Sequence, residues 1–412
     1  MDYFNHENGE AFCEGVKLED IAEKVGTPVY VYSKATLHRH LNNLKSAFSE
    51  YPSQLCFAVK ANSNIHLLRE MALFGYGGDV VSLGEIRRCQ LAGMEPQKVV
   101  FSGVGKTAAE IEAALDWGIR SINVESEFEL DLITSIASKL KKTVPISLRV
   151  NPNIDAKTNP KITTGMLTTK FGISQEEAEK LGAQIKRHPY LELVGLACHI
   201  GSQIVELKPL REAAEFMAEF SMAFIKEGHP LQSINMGGGL GIRYRKESPP
   251  DLSAYSQTLI DAVKKTNLTL IIEPGRVIAG NMGVLLTQVV GVKQSPRKKF
   301  VVVDAAMNDL MRPTMYDSYH QIEAVKKSSD SERVDVVGPI CESGDFFAQD
   351  RELQRVEKGD FLYIRGCGAY AATMASNYNS RLKAPEVLVE GQEYRLIRKR
   401  ESYESLWKEE LE

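Results

Sequence analysis

A lysine near the start of the chain stands where a reactive amine could form. Lys60 follows the short apolar run LCFAV at residues 55–59 and precedes the polar segment ANSN. Such a run predicts a buried strand, so Lys60 is expected at its carboxyl end, facing a pocket. Burial disfavours the ammonium form, lowers the pKa and leaves a nucleophilic amine that can form a Schiff base with a carbonyl group. The alternative is a surface lysine at a strand end.

Three consecutive glycines, at 237–239, follow another apolar run. Glycines let backbone amides approach an anion closely, so this segment could hold a phosphate group. The alternative is a tight turn with no ligand.

Glu273 and His199 could act on an aromatic cofactor. Glu273 begins the segment EPGR at 273–276. A carboxylate facing the pyridine nitrogen of pyridoxal phosphate would keep that nitrogen protonated, so that the ring accepts electrons from a breaking bond. His199 could stack on such a ring. The alternatives are a Glu273–Arg276 ion pair at the rim of the fold and a packed core histidine.

A fourth segment, GPICESGD at 338–345, places Cys341 beside Glu342 and near Asp345. Nearby negative charge raises the pKa of a thiol, which favours a neutral proton donor over a thiolate nucleophile. The alternative is a buried, inert cysteine.

These residues lie in a repeating pattern of strands and helices. The predicted strands are 55–60, 78–82, 98–101, 121–124, 145–150, 191–199, 233–236 and 268–272, and amphipathic runs lie between them. Eight such units predict a (β/α)8 barrel, and an open doubly wound sheet is disfavoured because no GxGxxG follows the first strand. A barrel keeps its active site at the carboxyl ends of the strands. Those ends carry Lys60, Asp79, Arg149, His199, the three glycines and Glu273.

The rest of the chain predicts a second domain. After residue 276, β-branched runs alternate with turn residues, which indicates a mostly antiparallel β domain, and the run PVYVY at 28–32 could join it. We predict an N-terminal segment at 1–35 that joins the β domain, a barrel at 36–280 and a C-terminal β domain at 281–412. The long loop at 151–173 is a predicted binding loop that could cover the pocket.

Composition narrows the class of protein. The 412 residues carry a net charge of -4, which gives no basic field for nucleic acid. The amino terminus lacks a basic region followed by an apolar one, and no apolar run is long enough to span a membrane, so a cytoplasmic protein is expected. The six cysteines show no metal-ligand spacing and are expected to be reduced thiols.

As a set, these residues resemble the fold-type III pyridoxal phosphate-dependent decarboxylases, whose barrel is of the alanine-racemase-like type. The resemblance covers residues 10–405. Its motifs are FAVKAN at 57–62, GDVVS at 78–82, HIGSQ at 199–203, GGG at 237–239, EPGR at 273–276, CESGD at 341–345, and Tyr370. The CESGD form and DAAMNDLMRPTMY at 304–316 are the most specific, and they are similar to the branch that acts on meso-diaminopimelate.

The resemblance implies roles for individual residues. Lys60 would hold pyridoxal 5'-phosphate covalently, His199 would stack on it and Glu273 would pair with its pyridine nitrogen; with Cys341, these are the implied catalytic residues. The other cofactor-binding residues that it implies are Asp79, Ser202, Gly238, Gly239, Gly275, Arg276 and Tyr370.

The resemblance also implies the substrate and the assembly. Arg276, Arg312 and Tyr316 would grip the distal carboxylate of meso-diaminopimelate, Glu342 would meet its distal amine, and Tyr370 would also contact it. Cys341 would come from the neighbouring subunit of a homodimer and protonate the carbanion left by carbon dioxide. The implied reaction yields L-lysine and carbon dioxide, the last step of lysine biosynthesis.

Other functions remain open from sequence alone. A decarboxylase of ornithine, arginine or lysine shares the cofactor chemistry, but its substrate ends in a cation that Arg276 and Arg312 should repel. In this superfamily, a racemase places an arginine opposite the pyridine nitrogen where this chain has Glu273. A non-catalytic cofactor carrier lacks the second β domain, and a barrel that binds no cofactor leaves the shared placement of Lys60, the glycines and Glu273 unexplained.

Overall fold

The structure is a computed structural model that describes residues 2–156, 158, 161, 164–166 and 168–411. The chain forms two compact units. The barrel unit comprises Leu41–Ile242 and Ser248–Arg276, and the β unit comprises Met1–His40, Arg243–Glu247 and Val277–Glu412. The short segment Arg243–Glu247 lies inside the range predicted for the barrel but belongs to the β unit.

The amino-terminal part contributes to the β unit. Strands β1 (Phe4–Glu7), β2 (Glu10–Cys13) and β3 (Val16–Lys17) form a small antiparallel sheet, and helix α1 (Leu18–Val25) follows. Strand β4 (Val29–Ser33) is buried along its whole length, as its unbroken VYVYS sequence leads one to expect.

Within the described residues, eight parallel strands close into a barrel. They are β5 (Ser53–Ala58), β6 (Gly77–Val80), β7 (Val99–Phe101), β8 (Ser121–Val124), β9 (Val144–Arg149), β10 (Leu191–Ala197), β11 (Ser233–Asn235) and β12 (Thr269–Ile272). Most of these strands contain a short apolar stretch, as expected where both faces of a strand are covered. The barrel closes where β12 pairs with β5, with Leu270 opposite Ser53.

Helices alternate with these strands. They are α2 (Lys34–Ala47), α3 (Ile65–Leu73), α4 (Leu83–Ala92), α5 (Ala108–Trp117), α6 (Glu127–Leu140), α7 (Gln175–Arg187), α8 (Leu207–Lys226) and α9 (Leu252–Val263). Side-chain caps fix several of their starts because each cap satisfies a backbone N–H that has no partner in the helix. Thr107 and Glu110 form a capping box at α5, and Ser126, Ser174 and Asp251 cap α6, α7 and α9.

The carboxyl-terminal part completes the β unit. Its elements are α10 (Arg276–Ala279), β13 (Gly283–Gln294), β14 (Lys299–Val303), α11 (Arg312–Tyr316), β15 (Ile322–Ala324), β16 (Ser331–Val337), β17 (Phe346–Gln354), β18 (Phe361–Ile364), β19 (Glu386–Glu390), β20 (Glu393–Arg398) and α12 (Glu404–Trp407). The main sheet runs β17-β16-β14-β13-β4-β19-β20, and β18 joins β13 to β15. Only the β14–β16 and β4–β19 pairs of this described sheet are parallel.

A continuous apolar core supports the β unit. It includes Leu18 and Ile21 of α1, Val31 of β4, Leu286 of β13 and Val387 of β19, each fully buried. The amino-terminal strands are therefore integral to this unit.

The predicted fold class, a (β/α)8 barrel with a second, mostly antiparallel β domain, is confirmed. Each of the six cysteines lies among the described residues and is a free thiol. No helix in the described ranges combines the length and apolar character that crossing a membrane requires.

Candidate active site

Lys60 and Asp79 form an ion pair at the carboxyl ends of neighbouring barrel strands. Ala58, the last residue of β5, lies opposite Asp79 on β6, and Lys60 follows in a single 3-10 turn. The Lys60 amine donates a hydrogen bond to Asp79 Oδ2; the lysine side chain is 41% exposed and the aspartate side chain 0%. Two details of the prediction are therefore wrong. The strand ends before Lys60. The Lys60 amine is also partly exposed and is held by the buried carboxylate of Asp79, whereas the prediction expected burial to remove its water.

Glu273 follows β12, the other neighbour of β5. Its N–H donates to the Gly237 carbonyl oxygen at 2.7 Å, and its Oε1 accepts the Asn235 side-chain amide at 2.6 Å. Burial raises the pKa of Glu273 well above its usual range and the charge of Asp79 raises it further, while Lys60 and the Asn235 hydrogen bond oppose the rise. Glu273 thus holds a proton to higher pH than an ordinary glutamate. Such a carboxyl can share a proton with a pyridine nitrogen.

His199 lies just after β10 and presents a neutral ring. The Gly238 N–H donates to its Nδ1 at 3.2 Å. Burial lowers the pKa of His199 to about 3, and the charges of Arg149 and Lys60 contribute. Because Nδ1 accepts a hydrogen bond, the neutral ring carries its proton on Nε2. A flat, uncharged ring suits stacking on an aromatic cofactor.

The glycine segment packs against the ends of neighbouring strands. A Cβ atom on Gly238 would overlap the carbonyl oxygen of Glu273, and one on Gly239, whose φ is +111°, would overlap that of Gly201. The loop after β10 is joined to this segment, since the Ile204 N–H donates to the Gly239 carbonyl oxygen at 2.8 Å. The two loops form a concave backbone surface, called here the cradle, that exists only because its glycines have no side chains. Such a surface of backbone N–H groups can bind a phosphate.

A buried ion pair lies beside these residues, and sequence reasoning gave it no role. Arg149 ends β9 and donates from Nη1 to both carboxylate oxygens of Glu125, each at 2.9 Å. Glu125 follows β8, is 3% exposed and also accepts the Gly103 N–H at 2.8 Å. The charge of Arg149 lowers the pKa of His199, so the pair belongs to the electrostatics of the site. The feature of the sequence that could have indicated this ion pair is that both residues lie at the ends of predicted strands.

These barrel residues fit pyridoxal phosphate. Lys60 supplies an amine, Glu273 a carboxyl that holds a proton, and His199 a flat ring, while the joined loops supply a backbone cradle. Asp79 Oδ1 is buried and has no hydrogen-bond partner among the described residues, so the site also offers an acceptor. Three further predicted cofactor residues lie in the same unit: Ser202 in the loop after β10, Gly275 after Glu273, and the buried Arg276.

The remaining predicted residues belong to the β unit: Arg312, Tyr316, Cys341, Glu342 and Tyr370. Arg312, the first residue of α11, is buried. Its Nη1 donates to Nε2 of His320 at 2.9 Å and its Nη2 to Ser318 Oγ at 3.3 Å, and its guanidinium carbon lies 4.7 Å from the centre of the Tyr244 ring. Sequence reasoning missed His320 and Tyr244, which lie in segments without a motif.

The helix that carries Arg312 is tied to the CESGD segment. Thr314 Oγ1 donates to the Gly344 carbonyl oxygen at 2.6 Å, so two predicted parts of the site meet within the β unit. Tyr316 ends the same helix and is partly buried. Tyr370 has a left-handed backbone, with φ at +56°, which is uncommon for a tyrosine and costs conformational energy.

Asp345 shapes the CESGD loop. Its two carboxylate oxygens accept the N–H groups of Met307 and Ile340, each at 2.7 Å, and the residue is 4% exposed. Both oxygens thus hold the backbone of the loop, and the effect of the Asp345 charge on Cys341 stays a prediction.

Cys341 and Glu342 are exposed in the same loop. The Cys341 N–H donates to Asn379 Oδ1 at 3.0 Å, and its thiol is free. The Tyr378 hydroxyl hydrogen-bonds to Glu342, and this bond raises the pKa of Tyr378. The surface position excludes the alternative of a buried, inert Cys341 within this chain.

The predicted binding loop at 151–173 is described only in part, since residues 157, 159, 160, 162, 163 and 167 lie outside the described residues. Thr164 Oγ1 donates to the His199 carbonyl oxygen at 2.7 Å, and the Gly165 N–H donates to the Ile200 carbonyl oxygen at 3.1 Å. The described part of the loop therefore contacts the backbone at His199. Whether it covers the pocket stays a prediction.

Comparison with known proteins identifies the family. Residues 34–280 match the family model described as "Pyridoxal-dependent decarboxylase, pyridoxal binding domain". The chain is 48% identical to the diaminopimelate decarboxylase of Neisseria meningitidis over 97% of this chain and 98% of that protein. The crystal structure of the Helicobacter pylori diaminopimelate decarboxylase complexed with L-lysine is 43% identical, with a TM-score of 0.93 over 95% of this chain and 98% of the other. The enzyme from M. jannaschii in co-complex with L-lysine is 37% identical, with a TM-score of 0.95 over 100% and 98%. The chain therefore belongs to the pyridoxal-dependent decarboxylase family, among the diaminopimelate decarboxylases.

Proposed function

We propose that this protein catalyses the pyridoxal phosphate-dependent decarboxylation of meso-2,6-diaminopimelate to L-lysine and carbon dioxide, the last step of lysine biosynthesis. The observation that carries the proposal is the placement of Lys60, Asp79 and Glu273 at the ends of three adjacent strands of the closed barrel. The names of its relatives, two of which bind L-lysine in crystal structures, support the substrate.

Each of the barrel residues has a separate role in the proposed reaction. When bound, pyridoxal phosphate supplies an electron sink for the pair released as the carbon–carboxylate bond breaks. Lys60 would hold the cofactor through its side-chain amine, at the position that the D-configured amino group of the substrate must reach. Glu273 would keep a proton at the pyridine nitrogen, and His199 would cover the ring. Asp79 accepts a hydrogen bond from the Lys60 amine and so positions it before reaction.

A second set of charged and polar side chains selects the substrate. Arg276, Arg312 and Tyr316 bind the distal carboxylate, for which planar guanidinium groups are well suited, and Glu342 binds the distal amine. Tyr370 contacts both cofactor and substrate. Ornithine, arginine or lysine would bring a cation without a carboxylate to Arg312, and repulsion disfavours that alternative.

The proposed assembly is a homodimer in which Cys341 of one subunit serves the site of the other. The exposure of the thiol supports this, because a group delivered across an interface must lie at the surface of its own chain. Cys341 would donate a proton to the substrate carbon that loses carbon dioxide. The six free thiols fit a reducing compartment, so we infer a cytoplasmic location.

Product analysis tests the proposal. The purified protein with pyridoxal phosphate is incubated separately with meso-diaminopimelate, lysine, ornithine and arginine, and carbon dioxide and amino products are measured. We expect carbon dioxide and L-lysine from meso-diaminopimelate alone. Release from ornithine and not from meso-diaminopimelate would overturn the substrate assignment.

Lys60→Ala tests the cofactor anchor. The variant should lose both turnover and the visible absorbance of covalently held cofactor, because it lacks the amine that would hold the cofactor. Lys98→Ala is a matched control, since Lys98 also lies in a 3-10 turn beside a barrel strand. A Lys60→Ala protein that retains the absorbance and full activity contradicts the assignment.

A further inference from the structure

A buried histidine in the β unit lies between two arginine residues. His320 is 0% exposed. Its Nε2 lies 2.9 Å from Arg312 Nη1, and its Nδ1 lies 2.8 Å from the carbonyl oxygen of Arg365. No motif includes His320, and the reaction described above gives it no role.

The two contacts fix the protonation state of His320. A guanidinium nitrogen can only donate, so Nε2 must accept and carries no proton. A carbonyl oxygen can only accept, so Nδ1 must carry the proton. The ring is therefore neutral, and a protonated ring would turn an N–H towards the Arg312 guanidinium.

Because His320 is a neutral acceptor, it leaves the positive charge of Arg312 available to a ligand. A carboxylate in the place of His320 would hold the guanidinium equally well but would cancel much of its charge towards a ligand. The contacts to His320 and Ser318 orient the group through neutral atoms, and the Tyr244 ring lies against its face. The Tyr244 ring also packs edge-on against His320, with ring centres 5.4 Å apart.

The segment that carries His320 is held from its other side. The Arg351 guanidinium donates to the His320 carbonyl oxygen at 2.9 Å and lies 4.0 Å from the centre of the Tyr319 ring. Both the backbone and the ring of His320 are thus fixed. Such a fixed acceptor limits the rotamers open to a long side chain, which reduces the entropy that Arg312 loses when it binds a ligand.

We propose that His320 is the positioning residue of the substrate-selecting arginine: in its neutral form with Nδ1 protonated, it orients Arg312 for the distal carboxylate of the substrate. The inference rests on the proposed function and adds to it the residue that prepares the carboxylate site.

Two ligands distinguish a positioning role of His320 from a general effect on the stability of the protein. L-lysine, the product, keeps the distal carboxylate, whereas 1,5-diaminopentane has the amines and no carboxylate. Their dissociation constants are measured by calorimetry on the cofactor-loaded protein. For His320→Leu we expect L-lysine to bind about 10- to 100-fold more weakly, the effect of losing one hydrogen bond to a charged group, and 1,5-diaminopentane to change less than about threefold. His320→Gln, whose amide oxygen can accept from Arg312, should restore most of the affinity for L-lysine.

Controls make the outcome decisive. His188→Leu, which removes a histidine that contacts Ser138 in the barrel unit, should change neither constant. Equal weakening of both ligands by His320→Leu, or no weakening of L-lysine, overturns the proposal. If His320→Leu does not fold, nitrogen NMR of the wild-type ring decides, because a charged ring or a proton on Nε2 contradicts the assignment. If the wild-type protein does not decarboxylate meso-diaminopimelate, the proposed function fails; if it does and His320→Leu binds L-lysine normally, only this inference fails.

Discussion

Replacing Glu273 by glutamine tests the electronic role of this residue with almost no change in shape. Asn235 donates its amide to Oε1 of Glu273 at 2.6 Å, so the new side chain must place its own oxygen there. Its NH2 group then takes the place of the second carboxylate oxygen. A carboxyl can share a proton with a pyridine nitrogen, but an amide NH2 can only donate. Glu273→Gln should therefore leave that nitrogen unprotonated and weaken the electron sink.

The expected loss of activity follows from one interaction. A hydrogen bond to a charged group contributes about 1.5–3 kcal/mol, so kcat/KM for meso-diaminopimelate should fall roughly 10- to 150-fold. Most of the loss should lie in kcat, because the interaction strengthens as electrons move into the ring.

The same substitution should change how stability depends on pH. The raised pKa of Glu273 means that the folded protein binds more protons than the unfolded chain between the ordinary and the raised value. The stability that Glu273 contributes is thus present below its ordinary pKa and lost as pH rises through the raised one. Glu273→Gln removes this loss. The free energy of unfolding of the cofactor-free variant, relative to wild type, should increase as the pH rises from about 4.5 to about 8.

Carbon dioxide release gives the kinetic constants, and denaturant titrations of cofactor-free protein at several pH values give the stability. Glu219→Gln is the control, since Glu219 lies on α8 with its side chain 76% exposed. A Glu273→Gln enzyme with wild-type kcat/KM would refute the electronic role. A stability difference that does not change with pH would refute the assignment of the raised pKa.

Two further substitutions separate substrate binding from the cofactor cradle. Arg312→Ala should raise KM for meso-diaminopimelate by about 100-fold, the effect of losing a bidentate charged contact, and leave the affinity for pyridoxal phosphate within about twofold; parallel losses of both, measured by steady-state kinetics and cofactor titration, would contradict the distal-clamp role. Gly238→Ala places a Cβ atom against the Glu273 carbonyl oxygen, so it should lower the free energy of unfolding by roughly 1–3 kcal/mol and weaken cofactor binding. Gly105→Ala, where the added atom meets nothing within 4 Å, is the control, and equal stability of the two variants in denaturant titrations would count against the close-packed cradle.

The barrel could be predicted because parallel strands that are covered on both faces leave unbroken apolar runs in the sequence. The strand ends followed to within about two residues, which is the usual uncertainty where helices and strands end. Lys60 and Glu273 could be placed at one end of the barrel on that basis alone. The exposure of Lys60 could not, because it depends on Asp79 turning its carboxylate towards the amine.

The residues that sequence reasoning missed are polar groups whose partners come from other segments. Glu125 looks like a surface glutamate until β8 and β9 pair and bring Arg149 beside it. His320 lies in a short irregular stretch, and only the fold shows that it is fully buried against Arg312. The hydrogen bonds of Asp345 could not be predicted either, since its partners are backbone N–H groups that no side-chain pattern reveals.

Because the first and last strands close the barrel, they determine when the cofactor site can form during translation. The Ala58 N–H donates to the Pro274 carbonyl oxygen at 3.0 Å, so the lysine and glutamate ends of the site meet only through the β5–β12 pairing. A nascent chain that has emerged from the ribosome as far as β11 already contains Lys60 but has no Glu273 beside it. Pairing across such a separation in sequence forms late. Cofactor capture during translation should therefore begin only after β12 has been synthesised, and a chain stalled before that strand cannot retain the cofactor in this site.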